Sequence, residues 1–70
     1  MHSNFTALFK QDGPWWIGWI EEIPGVNAQE ETKEKLLVSL KEILTEALQF
    51  NREEARQAAE SDYIEELVTV

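Results

Sequence analysis

Six residues, Trp15-Trp16-Ile17-Gly18-Trp19-Ile20, restrict the folds open to this chain more than any others. They are aromatic and β-favouring, with one turn signal before them (Asp12-Gly13-Pro14) and another after (Pro24-Gly25). Successive side chains on a strand point to opposite faces. Apolar residues at both parities therefore make a strand that is apolar on both sides, the pattern of a central strand. The stretch from here to Thr32 holds all three tryptophans and leads to a residue suited to cap a helix.

Upstream, Phe5, Ala7 and Phe9 alternate with Thr6, Leu8 and Lys10, which is strand periodicity. Pro14 cannot donate a ladder hydrogen bond. That favours a four-residue loop, Gln11–Pro14, closing on Lys10 opposite Trp15, over an Asp-Gly turn with Pro14 as a strand partner. The register then sets Phe9 opposite Trp16, Ala7 opposite Gly18 and Phe5 opposite Ile20. Those six share one face. Leu8, Trp15, Ile17 and Trp19 share the other with Thr6 and Lys10.

Downstream, Val26–Glu30 reads as a short third strand, and Thr32 caps a helix over Lys33–Phe50. On a wheel of 3.6 residues per turn, Leu36, Leu37, Leu40, Ile43, Leu44, Ala47, Leu48 and Phe50 fall within an arc of roughly 160°. Lys41, Glu42, Thr45, Glu46 and Gln49 lie opposite, with Val38 the lone apolar residue among them. Asn51 and Glu54 resemble a capping box. Residues 52–62 thus read as a weakly packed helical segment, either a continuation of the first helix or a second short one. Tyr63–Val70 ends in a β-favouring run and is expected to return as a strand beside the first. The predicted architecture is α+β: a β-β-β-α-β sandwich whose antiparallel sheet is covered by one main helix. Residues 1–70 form a single domain.

A chain of 70 residues buries only about 60% of its surface, so its own stability is marginal. It has no cysteine for a disulfide or a thiolate metal site. One helix cannot cover two apolar sheet faces, so the reading expects a homo-oligomer, dimer or tetramer. The net charge of −8 repels phosphate backbones and attracts basic proteins. No run approaches the ~18 apolar residues of a membrane helix, and Met1-His2-Ser3-Asn4 lacks the regions of a signal peptide. The expected setting is cytoplasmic, with no membrane and no nucleic acid bound by the chain alone.

The residues predict no enzyme, cofactor or metal. The lone histidine, His2, sits at the N-terminus, and Gly13, Gly18 and Gly25 are isolated rather than gathered in a phosphate loop. Neighbouring carboxylates such as Glu21-Glu22 point apart on a strand. Glu42 and Glu46 share a helix face, but on the solvent side, where their ordinary role is solvation. The tryptophans are more informative. Trp16 belongs to the core, whereas Trp15 and Trp19 with Leu8 and Ile17 make a contiguous apolar patch, which points to a protein interface. A base-stacking platform would need a basic surround, and only Lys10 is near.

This order of features resembles the HicB family of type II antitoxins. The resemblance rests on the alternating strand Phe5–Lys10, the turn at Asp12-Gly13, and the aromatic strand with its Pro24-Gly25 ending. Gln29 through Thr32 and a Leu-rich helix continue it, so that it spans residues 5–50. Glu65-Glu66-Leu67-Val68-Thr69-Val70 looks like the last strand of the short, single-domain members. The resemblance implies a partial ribonuclease-H-like fold without a nuclease site and a partner in a small basic ribonuclease toxin, HicA. Many members add a C-terminal DNA-binding module; this chain is expected to lack one. The acidic residues Glu30, Glu31 and Glu34 are one place where a basic partner could dock, although carboxylates at a helix start also complement its dipole. The combined reading is a non-catalytic protein-binding domain, with a stand-alone structural homo-oligomer as the alternative.

Overall fold

Alternation in the first thirty residues produces a three-stranded antiparallel sheet in the order β1-β2-β3: β1 (Ala7–Asp12), β2 (Trp15–Ile20) and β3 (Asn27–Glu30). One helix, α1 (Lys33–Ala59), follows. This computed structural model describes residues 4–68.

The hairpin differs from expectation in its loop. Asp12 pairs with Trp15, leaving a two-residue connection, Gly13-Pro14. Pro14 is a loop residue here and owes the ladder no hydrogen bond, which removes the objection to a short turn. Gly13 takes φ +59°, and only the first of the two loop residues has positive φ, the pattern of a type II′ turn. The register is Ala7 opposite Ile20, Phe9 opposite Gly18 and Lys10 opposite Ile17, two residues from the expected one. A slip of one residue would exchange the faces, but a slip of two preserves them. Phe5, Ala7, Phe9, Trp16, Gly18 and Ile20 remain on one side. β3 starts at Asn27 rather than Val26, and its register sets Ala28 opposite Gly18 and Glu30 opposite Trp16.

The helix lies over β2 and β3. Ile20, Val26, Leu36 and Leu40 form the buried core, and Phe5, Phe9, Trp16, Ile23, Ile43 and Ala47 pack around it. Gly18 sets how closely the layers approach: a Cβ there would meet Leu40 Cδ1 at 3.0 Å and Leu36 Cδ2 at 3.1 Å. Thr32 caps α1, its hydroxyl accepting from the Lys35 N–H at 3.1 Å. Thr32→Ala is expected to cost about 0.5–2 kcal/mol, read as a lower midpoint in urea with an unchanged slope.

The second half of the chain brings one decision and one correction. α1 runs unbroken through Asn51 to Ala59, so of the two alternatives for residues 52–62 the first helix continues and no new one starts at the Asn51-Glu54 pair. Residues 52–59 are good helix formers, and extending an existing helix avoids the cost of a second nucleus. The helix ends at Glu60, whose φ of 64° turns the chain and whose N–H donates to the Arg56 and Gln57 carbonyls. The returning strand over Tyr63–Val70 is not formed among the described residues: 63–68 carry no regular structure, and the final two positions of that expected strand lie outside them. The reason is geometric. A 27-residue helix is about 40 Å long against roughly 20 Å for a six-residue strand. Ala47 is the last helical residue on the core, and the turns beyond it overhang the sheet. Phe50, on the apolar stripe, is accordingly exposed. The molecule measures 51 × 22 × 16 Å, with a radius of gyration of 15.3 Å against about 11 Å for a compact chain of this length.

Candidate protein-binding face

The covering of one sheet face leaves the other bare. Leu8 stands opposite Trp19, Lys10 opposite Ile17 and Asp12 opposite Trp15. Alternation turns all six away from the helix. Leu8, Trp15 and Trp19 are exposed and Ile17 is half-buried. On the other flank of β2, Asn27 pairs with Trp19 and Gln29 with Ile17, so both also belong to this outer face. The result is an apolar band running along β2, bounded by Lys10 and Asp12 on one side and Asn27 and Gln29 on the other. An apolar centre with a polar rim is the anatomy of a protein interface, and large aromatic anchors supply contact area with few rotatable bonds to freeze.

The structure thus brings together four of the seven residues singled out in the sequence, Leu8, Trp15, Ile17 and Trp19. The three acidic residues lie elsewhere. Glu30 pairs with Trp16, on the helix side of the sheet, and its Oε2 accepts from the Ser39 hydroxyl at 2.6 Å. Glu34 borders the same shallow depression with Lys35, Val38 and Glu42, while Glu31 is exposed in the connection before the helix. Any partner seated on the tryptophan band would not touch Glu30 directly. Asn27 and Gln29 were legible in principle, because pairing β3 with β2 at parity places them beside Trp19 and Ile17.

Elsewhere the polar groups have structural work. The Thr6 N–H donates to Glu22 Oε1 at 2.7 Å, extending the β1–β2 pairing past Ile20. This hydrogen bond holds the Glu22 carboxyl below the ordinary range. Lys33 Nζ stands 5.6 Å from the centroid of the Phe9 ring, a cation–π contact at the helix start. Among the described residues no group of three or more His, Cys, Asp or Glu side chains is placed to hold a metal ion, and no helix is long and apolar enough to cross a membrane. No protein-family model, curated protein or solved structure matches the chain.

Proposed function

We propose that this chain is a non-catalytic protein-binding domain resembling a HicB antitoxin, which masks a small basic ribonuclease through its outer sheet face. The observation that carries the reading is the open apolar band of Leu8, Trp15, Ile17 and Trp19. A contiguous patch of this kind, on a molecule whose other sheet face is already packed, is what a partner surface supplies. The net charge of −8 agrees with a basic partner and with no binding of nucleic acid by the chain alone. In this reading the partial ribonuclease-H-like order is a scaffold, the work is occlusion rather than chemistry, and the setting is the cytoplasm. The alternative is a structural homo-oligomer with no toxin, favoured by the overhanging helix, which leaves Phe50 without cover in one copy.

The test is inhibition of RNA cleavage by a small basic HicA-like ribonuclease. The wild-type chain should inhibit, with association slowing as salt rises. Trp15→Ala and Trp19→Ala should each weaken binding by about thirtyfold, as a residue worth ~2 kcal/mol at an interface does. Both positions are exposed, so thermal unfolding should move little. Full inhibition by the double variant would remove the tryptophan band from the interface, and the absence of inhibition by the wild type would favour the structural reading.

A further inference from the structure

We propose that Tyr63–Val68 serves as a fourth strand on the β1 edge of a second copy, so that two chains exchange C-terminal tails. The first observation is that the tail is apolar and unsheltered: Ile64 is 91% exposed, Leu67 92% and Val68 80%. It is also β-favouring and contains no proline.

The second observation is that residues 63–68 lie beside the end of the helix and not on the chain's own sheet. The Arg56 guanidinium pairs with Glu65 at 3.2 Å, and Tyr63–Leu67 border an open, shallow depression beside Arg52, Ala55 and Arg56 in which Ile64 and Leu67 stay solvated. The tail therefore runs beside the overhanging turns. From Arg56 back to Ala47, where the core ends, is nine helical residues, about 14 Å. From Glu65 to Val68 the chain extends roughly 10 Å. The described tail ends before it meets the sheet it came from.

The third observation is an acceptor. Asp12 and Trp15 flank a two-residue loop and form a hydrogen-bonded pair, so the alternation of an antiparallel ladder aims the N–H and C=O groups of Ala7, Phe9 and Gln11 at the open edge of β1. The helix covers β2 and β3, which leaves Phe5 and Phe9 only half-buried beneath that edge. A strand added there gains a ladder of hydrogen bonds and apolar contacts together. β3 offers a shorter edge, four residues against six, and carries Glu30 followed by Glu31. Those carboxylates would oppose Glu65 and Glu66, whereas β1 balances Asp12 with Lys10. A reciprocal exchange closes as a two-fold dimer. It leaves the tryptophan band free, so it stands apart from the toxin-binding reading.

Light scattering at micromolar concentration tests the exchange. The full chain should have twice its 8.1 kDa mass, and a chain ending at Asp62 should have the single mass with its helical circular dichroism retained. A second variant, Ile64→Asp with Leu67→Asp, keeps the length. Both side chains are solvated in the single copy, so the charges leave that fold alone but cannot sit in an added strand, and the mass should again halve. Hydrogen exchange should show the Ala7, Phe9 and Gln11 amides protected in the full chain and fast in both variants. A monomeric full chain, or a dimer that survives both changes, would overturn the proposal. Loss of dimer with toxin inhibition intact would support it.

Discussion

Leu40→Ala should destabilise the protein by about 2–5 kcal/mol, the range for truncating a buried leucine in a core that relaxes only in part. Leu40 is 1% exposed and meets the sheet where Gly18 lets the helix come close. Its Cδ1 is the atom nearest to a would-be Gly18 Cβ. At the usual ~0.05–0.15 kcal/mol per residue, a chain of this size has about 4–10 kcal/mol to lose. One substitution can therefore take half of it. Glu42→Ala is the matched control, exposed on the opposite side of α1 and expected to stay within about 0.5 kcal/mol of wild type. Denaturant titration of the pair reads the orientation of the helix directly. Comparable losses would mean that α1 presents another stripe to the sheet.

Gly18→Val should be comparably damaging, for the opposite reason. An added Cβ at position 18 lies 3.0 Å from Leu40 Cδ1, 3.1 Å from Leu36 Cδ2 and 3.1 Å from the Leu8 carbonyl oxygen. Both leucines are fully buried and have nowhere to turn, and the third neighbour is backbone. The two leucines must give way by a few tenths of an ångström for the Cβ and further for the valine methyls, which disturbs the core around them. Overpacking of this kind costs about 1–3 kcal/mol and occasionally more. Valine suits a strand better than glycine does, an advantage of under ~1 kcal/mol that offsets only part of the loss. Gly18→Ala should lose less than Gly18→Val, and the small-to-large order of the series is the signature of crowding. A neutral or stabilised Gly18→Val would show that α1 rides higher on the sheet. The outer face supplies a contrast, since Gln29 is exposed there and its replacement by valine meets no such crowding.

Both expectations bear on the tryptophan band. On the inner face Gly18 lets α1 approach closely; the outer face carries Trp15, Ile17 and Trp19. Helix packing on the first face is thus what leaves the second open. A variant that loosens the Gly18–Leu40 contact should weaken partner binding only through loss of folded protein, because none of the outer residues contributes to the buried core.

Much of this arrangement is local in origin and was legible in the residues. Alternation along Phe5–Lys10 and Trp15–Ile20 sorts the side chains into the same two faces in any register of the same parity, because period two survives a two-residue slip. The stripe through Leu36, Leu40, Ile43, Leu44 and Ala47 follows from the helical repeat, and Thr32 marks its start by the chemistry of its own hydroxyl. These signals lie within a few residues of the elements that they specify. What escaped depends on groups far apart in the chain. Pro14 is a loop residue as expected, but that Gln11 and Asp12 belong to β1 and not to the loop is decided by the pairing of Asp12 with Trp15, and the register follows from that. Whether α1 ends at Asn51 or runs on is open in the residues because a cap competes with continued helix, and a helix already docked through Leu36 and Leu40 extends at little cost. The setting of Tyr63–Val68 then hangs on that length: with α1 ending at Ala59, residues 63–68 lie beside the overhanging turns and carry no regular structure. β-favouring composition makes the segment fit to be a strand, but only the position of its start relative to an open sheet edge decides which edge it can reach.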